Sequence, residues 1–186
     1  MNRDKWKKRI AERTDVSGHL VHLTKANDEI SAEKVLMKIL EERVINGSTT
    51  DSGFICGKKA AVCFQDAPLY SIAQNIYYEQ KLRKEKEESK VRYTGFGLLF
   101  TKIYVFKKDG RPAIYDKTIS AKKYLPENEW WRIVNLDLSD EDRFIDWTHE
   151  REWRVPNSFE FELSKVHVLV PNEKAYKGRL REFTQR

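Results

Sequence analysis

The segment YTGFGLLFTKIYVF, residues 93–106, carries the strongest β-strand signal in the sequence. Aromatic and β-branched side chains dominate it, and these side chains favour the pleated, half-buried surface of a sheet. The next four residues, 107–110, contain an Asp-Gly pair that is typical of a tight turn, and residues 111–115 resume an extended pattern. The sequence therefore predicts a long strand, a turn and a second strand at this point.

Shorter strand and loop signals surround this segment. Alternating apolar and polar residues predict a strand over residues 19–24, and an apolar run that ends before Pro68 predicts another over residues 60–64. The remaining strand candidates are residues 152–155, 159–163 and 166–170. Residues 48–59 are rich in Gly, Ser, Thr and Asp, which indicates a loop.

Two helices are indicated by apolar residues at three- and four-residue spacing. One covers residues 31–42, with Asn27 or Ser31 as its cap. The other follows Pro68, which suits the first turn of a helix, and it leads into the almost wholly charged residues 79–90. We interpret residues 79–90 as a charged, solvated extension of this helix or as a mobile insertion.

The remaining segments are less decisive. Residues 1–15 form a basic N-terminal arm or a short basic helix, and residues 43–48 have the pattern of a helix exit into a turn. Residues 116–129 mix helix and loop, and residues 130–138 fit a strand or a helix. Together the signals predict a single domain over residues 1–186, of the α+β class, with a central, mostly antiparallel sheet and a few helices.

The composition excludes several classes of protein. Of the 186 residues, 40% are apolar and 34% are charged, which fits one packed domain with a densely ionic surface. Cys56 and Cys63 lack zinc-type spacing, and no segment has the apolar length of a membrane span. The charged N-terminal segment argues against a signal peptide, so we expect a cytoplasmic protein with no membrane partner. The net charge of +6 weakly favours polyanionic partners.

Paired carboxylates mark the segment HEREWRVP, residues 149–156. If the segment is extended, Glu150 and Glu152 share a face with Arg154 because side chains alternate. One interpretation is a catalytic carboxylate with an orienting partner, since nearby charges of the same sign raise each other's pKa. The alternative is a charged strand end with surface ion pairs.

Two imidazoles and a hydroxyl mark the segment HLVHLTK, residues 19–25. His22 and Thr24 share one strand face, where His22 is either a catalyst or a half-buried packing residue. If this strand is a neighbour of the strand that carries Glu152, the three side chains form a polar pocket suited to a nucleotide and to a sugar cation. Tyr93 offers a ring for stacking on a flat ligand, or for ordinary packing.

Other catalytic patterns are missing from the sequence. The four histidines have no ligand spacing on a helix, so we expect no metal site. Gly95 and Gly97 precede a strand rather than a helix and do not match the dinucleotide fingerprint. There is no Gly-x-Ser-x-Gly elbow and no Walker loop, and Cys63 lies in an apolar run where a thiol is usually inert.

Six blocks of sequence, taken in order, resemble the abortive-infection AbiGi-like proteins of bacteria and phages. They are HLVHLTK (19–25), LMKILEERVING (36–47), VCFQDAPL (62–69), YTGFGLLFTK (93–102), RPAIY (111–115) and EREWR (150–154). More distantly, the blocks are similar to the DarT-type branch of the ADP-ribosyltransferase fold. The resemblance spans about residues 19–156, and it implies a split, twisted β-sandwich that binds NAD in a central cleft.

The resemblance also implies roles for individual residues. His22, Tyr93 and Glu152 take the positions of the catalytic core, with His22 and Tyr93 also binding NAD. The other NAD-binding residues that it implies are Thr24, Glu150 and Arg154. Breaking the nicotinamide–ribose bond makes an oxocarbenium-like cation, which the Glu152 carboxylate would stabilise while it binds a ribose hydroxyl.

These observations give two function hypotheses. The first is an NAD-consuming ADP-ribosyltransferase-like protein of the bacterial host cytoplasm, which acts in phage–bacterium conflict as toxin or counter-defence factor. The second is a non-catalytic module of the same fold that binds nucleic acid or a protein partner, such as a defence-system protein or an antitoxin. A nuclease that holds a divalent ion between Glu150 and Glu152 is less favoured, because no Lys follows in a carboxylate-x-Lys arrangement.

The expected acceptor of the ADP-ribose is DNA or RNA rather than protein. Basic residues interleaved with aromatic ones suit single-stranded nucleic acid, because cations neutralise phosphates while rings stack on bases. The basic residues expected to border the NAD site are Lys102, Lys107, Lys108 and Arg111. The alternative is the solvated surface of a basic protein.

Overall fold

The structure is a computed structural model that describes residues 1–26, 29–85 and 93–177. Its α-helices are α1 (Arg3–Ala11), α2 (Ala32–Glu42), α3 (Leu69–Glu85), α4 (Lys102–Lys107), α5 (Thr118–Tyr124) and α6 (Glu173–Ala175). Its strands are β1 (His19–Leu23), β2 (Val44–Asn46), β3 (Ala61–Gln65), β4 (Gly97–Thr101), β5 (Arg111–Pro112), β6 (Ile114–Asp116), β7 (Ile133–Asn135), β8 (Glu152–Pro156), β9 (Ser158–Glu160) and β10 (Val166–Leu169). Short 3-10 helices cover Thr50–Ser52, Glu127–Arg132, Thr148–Glu150 and Leu163–Lys165.

A six-stranded sheet organises these elements. Its strand order is β10-β4-β1-β3-β8-β5, and every neighbouring pair is antiparallel. Two small sheets flank it: β2 pairs antiparallel with β9, and β6 pairs parallel with β7. The predicted α+β class with a mostly antiparallel central sheet is therefore confirmed.

The strand registers divide the side chains of this sheet between two faces. Directly opposed residues of an antiparallel pair share a face, and successive residues alternate between faces. Val21 is opposite Gln65, and Gln65 is opposite Glu152, so these three share what we call the carboxylate face. Phe64 and Trp153, one position along, share the other, which we call the aromatic face.

Phenylalanine rings form the centre of the core on the aromatic face. Phe64, Phe100 and Phe159 are fully buried, and their ring centroids lie 5.0–6.1 Å apart in edge-to-face geometry. Apolar residues of α2, α4, β2 and β9 cover them. Such aromatic pairs add stability beyond the area that they bury.

Two apolar clusters cover different parts of the carboxylate face. Ile72 of α3 packs with Val21 and Leu23 of β1. Trp131, in the 3-10 helix Glu127–Arg132, packs with Ala61 of β3. The polar ends of β3 and β8 therefore lie between two apolar layers, one from α3 and one from the 3-10 helix.

The predicted long strand over residues 93–106 is wrong before Gly97 and beyond Thr101. Strand β4 ends there, and α4 begins, because the Thr101 hydroxyl caps the new helix by accepting from the Tyr104 N–H at 3.3 Å. The turn into a helix buries Val105 completely in the aromatic-face core. An apolar run of this kind fits a buried helix as well as a strand.

Several undecided segments also acquire a structure. Residues 43–48 contain β2, which follows a left-handed Arg43 (φ 58°) and pairs with β9, so the predicted turn is wrong there. Ser31 caps α2 by accepting from the Lys34 N–H, whereas Asn27 lies outside the described residues. The predicted extension over residues 79–90 is helical as far as Glu85, and its remainder lies outside the described residues.

In residues 1–15 the described structure is the helix α1, which buries none of its side chains. Residues 130–138 comprise the end of a 3-10 helix and β7. Among the helices of the described ranges, none has both the length and the apolar character needed to cross a membrane.

We expect Phe100→Ala to lower the free energy of unfolding by about 3–5 kcal/mol, because it removes a ring that contacts Phe64, Phe159 and Phe161 and leaves a cavity. Urea denaturation followed by circular dichroism measures the change. Phe144→Ala is the matched control, since Phe144 is 61% exposed and its loss is expected to change stability by less than about 0.5 kcal/mol. Equal effects of the two substitutions would contradict the assignment of the core.

Candidate functional site

Arg154 of β8 uses all of its side-chain donors, although the residue is only 2% exposed. Its Nε and Nη2 donate to the two carboxylate oxygens of Glu152 at 2.8 and 3.3 Å. Nη1 donates to the carbonyls of Trp131 and Ile133 at 2.8 and 2.9 Å, and Nη2 donates to the carbonyl of Phe54 at 3.2 Å. The guanidinium thus joins a buried carboxylate to three backbone carbonyls from two separate segments.

A change of backbone conformation places the second carboxylate beside this pair. The 3-10 helix Thr148–Glu150 ends at Arg151, which is left-handed (φ 46°), and β8 begins at the next residue. Glu150 and Glu152 therefore do not lie on one extended strand, as the sequence predicted. Both carboxylates nevertheless lie on the carboxylate face, since Glu150 contacts Tyr93, which packs there with Val21.

Glu150 is the more accessible of the two carboxylates. It is half-buried, and its Oε1 accepts from the buried Tyr93 hydroxyl at 2.8 Å. The Lys25 ammonium lies 5.3 Å from the centroid of the Tyr93 ring. Burial raises the pKa of Glu150 above its ordinary value, and the charge of Glu152 raises it further, against the opposing effect of the Tyr93 hydrogen bond.

Gln65 completes the site, although the sequence patterns do not predict it. It lies opposite Glu152 in the sheet and is only 6% exposed. Among the described residues its side-chain amide has no hydrogen-bond partner. Its amide atoms are not among the fully buried unpaired atoms of the described residues, so a donor and an acceptor remain accessible here to a ligand or to water. We call Gln65, Tyr93, Glu150 and Glu152 the carboxylate site.

Two further polar groups surround Glu152. The Tyr115 hydroxyl accepts from the Glu152 backbone N–H at 2.5 Å, and burial raises the pKa of Tyr115 to about 12. Burial also raises the pKa of the Cys63 thiol, with a contribution from the Glu152 charge. Both groups are therefore protonated at neutral pH, so Cys63 is a poor nucleophile.

His22 lies on the other side of the sheet from the carboxylate site. Strand β3 separates β1 from β8, so the strands of His22 and Glu152 are not neighbours. The His22 ring contacts Phe64 on the aromatic face, and its Nδ1 lies 2.9 Å from the Cys63 carbonyl, to which it donates. Burial lowers the pKa of His22, which favours the neutral ring.

The Thr24 hydroxyl also has its hydrogen-bond partners within the fold. It is buried and lies 2.9 Å from the Ala32 carbonyl and 3.2 Å from that of Phe96. It therefore joins the end of β1 to α2 and to the segment before β4. The predicted pocket formed jointly by His22, Thr24 and Glu152 is wrong, because two of its members lie on the opposite face from the third.

The basic residues predicted to bind nucleic acid lie on two elements: Lys102 and Lys107 are on α4, with Lys108 directly after it, and Arg111 begins β5. Arg111 lies opposite Arg154 in the sheet and so borders the strand of Glu152, whereas α4 packs Val105 into the aromatic-face core. Lys102 forms an ion pair with Asp66 at 2.7 Å, and Arg111 donates to the Phe106 carbonyl at 3.0 Å. Lys107 is exposed.

The described residues contain no group of three His, Cys, Asp or Glu side chains arranged to hold a metal. Both oxygens of Glu152 accept hydrogen bonds from Arg154, which leaves Glu150 as the carboxylate with an open edge. Comparison with known proteins finds no matching family, no similar curated protein and no similar solved structure.

We expect Arg154→Met to lower the free energy of unfolding by about 3–5 kcal/mol, because it leaves Glu152 buried without its counter-charge. The double variant Glu152→Gln/Arg154→Met should lose less than the sum of its two single substitutions. Urea denaturation measures all three. Lys38→Met, in an exposed ion pair with Glu42, is the control and should cost less than about 1 kcal/mol. A loss of that small size for Arg154→Met would contradict the role of the guanidinium.

The raised pKa of Glu150 predicts a pH dependence of stability. A carboxyl whose pKa is higher in the folded state stabilises the fold below its unfolded pKa, and that contribution disappears as the pH rises through the folded pKa. The stability of wild type relative to Glu150→Gln should therefore fall between pH 4 and pH 8.

Asp146→Asn is a control of opposite sign, because hydrogen bonds from Thr148 lower the pKa of Asp146. The stability of wild type relative to that variant should rise with pH. Urea denaturation at several pH values measures both differences. A rise in the Glu150 comparison would contradict the burial of that carboxyl.

Proposed function

We propose that the protein is an NAD-consuming enzyme of the ADP-ribosyltransferase type and that the carboxylate site binds the nicotinamide ribose. The observation that carries the proposal is a half-buried carboxylate, Glu150, beside the unpartnered amide of Gln65. A carboxylate at this depth suits a developing sugar cation, because the surrounding protein screens its charge less than water does.

In this proposal Glu150 takes the role that the sequence predicts for Glu152. The carbon–nitrogen bond between nicotinamide and ribose breaks, its electron pair leaves with neutral nicotinamide, and the ionised Glu150 stabilises the oxocarbenium cation. A nucleophile of the acceptor then bonds to the ribose carbon and loses its proton to solvent. Glu152, held by Arg154, acts as a positioning residue and keeps the strand end in place.

The remaining residues of the site have separate tasks. The Tyr93 hydroxyl orients the Glu150 carboxylate by donating to Oε1. The Gln65 amide presents both a donor and an acceptor, which match the primary carboxamide of nicotinamide. His22 acts at a distance, because its hydrogen bond to the Cys63 carbonyl supports β3, the strand of Gln65.

The biological setting in this proposal rests on the resemblance of the ordered sequence blocks to abortive-infection proteins. It places the protein in the cytoplasm of a bacterial host, as a toxin or counter-defence factor that modifies DNA, RNA or a protein. The six-stranded antiparallel sheet fits the α+β class to which the ADP-ribosyltransferase fold belongs.

The second candidate is a binding module that does not turn over NAD and recognises nucleic acid or a protein partner. The observation that favours it is the set of exposed tyrosines on α3, since Tyr70, Tyr77 and Tyr78 are 53–72% exposed. Large exposed aromatic groups often belong to interaction surfaces. In this case His22 and Glu152 are structural residues.

The test is nicotinamide release from NAD, with single-stranded DNA, RNA and bacterial lysate as acceptors. Glu150→Gln should lower kcat by about 10²–10³-fold, the effect typical of losing one electrostatic stabiliser. Gln65→Ala should mainly raise KM for NAD, because it removes a binding contact. Glu141→Gln, at an exposed position, should retain the wild-type kcat. Wild type and Glu150→Gln equally inert with every acceptor would contradict the enzymatic proposal and favour the binding module.

A further inference from the structure

Helix α1 is a dense basic surface that the core does not use. Its nine residues include five basic side chains, Arg3, Lys5, Lys7, Lys8 and Arg9, and a single acidic one, Asp4. No side chain of the helix is buried. Lys5, Lys8 and Arg9 follow the three- and four-residue spacing of one helix face. Lys8 also forms an ion pair with Glu12 at 3.7 Å, but both side chains are exposed and such pairs are weak, so this face presents concentrated positive charge to a polyanion.

Helix α3 presents exposed aromatic rings in a row. Tyr70 and Tyr77 are 53% and 72% exposed, and they are seven residues apart, which places them on the same helix face about 10 Å apart. Lys81, four residues beyond Tyr77, continues the row and is exposed. We call these three residues the tyrosine row.

The segment that follows α1 contacts both the tyrosine row and the edge of the carboxylate site. The Tyr70 hydroxyl donates to the Thr14 carbonyl at 2.6 Å, in the segment that follows α1. The Arg151 guanidinium donates to the carbonyl of Asp15 in the same segment. Since Arg151 lies between Glu150 and Glu152, this segment connects the basic helix, the tyrosine row and the edge of the site.

We propose that α1 and the tyrosine row form a binding surface for single-stranded nucleic acid. Cations that neutralise phosphates, next to rings that stack on bases, are the combination that single strands require. Duplex nucleic acid hides its base faces, and an anionic lipid surface offers charge without bases to stack on. The tyrosines therefore favour a single strand over both of these.

This surface goes beyond the proposed function, because binding needs no NAD. It also suggests how an acceptor strand would reach the active site in the proposed function. A strand held by α1 and Tyr70 would pass the Arg151 contact and reach the carboxylate site. The contacts of α1 replace those expected from α4, where Lys102 is already paired with Asp66.

The test is fluorescence anisotropy with a labelled 20-nucleotide single strand, as RNA and as DNA, between 50 and 200 mM NaCl. Lys5→Glu/Lys8→Glu should weaken binding at least about tenfold and lower the magnitude of the log–log salt slope by about 1.4, that is 0.7 for each lost phosphate contact. Tyr77→Ala should weaken binding at least about fivefold, through the loss of one stacked base.

Matched controls test whether the loss of binding is specific to this surface or follows from any charge reversal or any loss of an exposed ring. Lys107→Glu/Lys108→Glu reverses the same number of charges on α4, and Tyr124→Ala removes a tyrosine that is 59% exposed elsewhere. Each should change the affinity less than about twofold. Thermal unfolding of every variant should show that the fold is retained, because none of these side chains is buried.

Several results would overturn the proposal. One is that neither the RNA nor the DNA strand binds at 50 mM NaCl. Another is that Lys107→Glu/Lys108→Glu weakens binding and Lys5→Glu/Lys8→Glu does not. Equal affinity for a duplex with no effect of Tyr77→Ala would also overturn it, as would binding to phosphatidylserine vesicles in the absence of strand binding. Glu150→Gln should retain strand binding. Wild type that binds the strand but releases no nicotinamide would reject only the enzymatic proposal.

Discussion

The site depends on the burial of one guanidinium. A charge in the protein interior is costly unless its partners replace the water that it loses. Arg154 meets this requirement with the Glu152 carboxylate and three backbone carbonyls. The carbonyls belong to the loop before β3 and to the 3-10 helix and strand before β8. The same ion pair therefore joins the central sheet to the layer that covers one end of its carboxylate face, and Glu150 is the more accessible of the two carboxylates.

The second constraint is the alternation of side chains along the strands. A shift of one residue along β1 or β3 moves a side chain to the other face. Val21 and Gln65 therefore accompany Glu152, whereas His22 and Phe64 belong to the aromatic face. The aromatic face therefore packs rings and a neutral imidazole, whereas the carboxylate face contains the titratable groups of the site.

Much of the fold could be predicted from the sequence, because strand and helix signals are local. The strands that contain His22 and Glu152, the helix α2 and the α+β class all follow from periodicity. Strand order is not local: nothing in HLVHLTK or HEREWRVP indicates that β3 separates them. The end of β4 was missed because its continuation into α4 depends on burying Val105, a tertiary contact.

The residues of the site could likewise be predicted only in part from local sequence signals. Residue type points to Glu150, Glu152 and Tyr93, and the structure brings these three together. Residue type points equally to Thr24, but the Thr24 hydroxyl donates to a backbone carbonyl within the fold. One sequence feature points to Gln65, a polar amide at the end of an apolar strand, but only the three-dimensional structure shows that this amide has no hydrogen-bond partner among the described residues.

The most direct test of the proposed site is a crystal structure with a non-hydrolysable carbocyclic NAD analogue. We expect the nicotinamide-side ring hydroxyls within hydrogen-bonding distance of Glu150 and the carboxamide at Gln65. Density for the analogue against His22 on the aromatic face would contradict the proposed site.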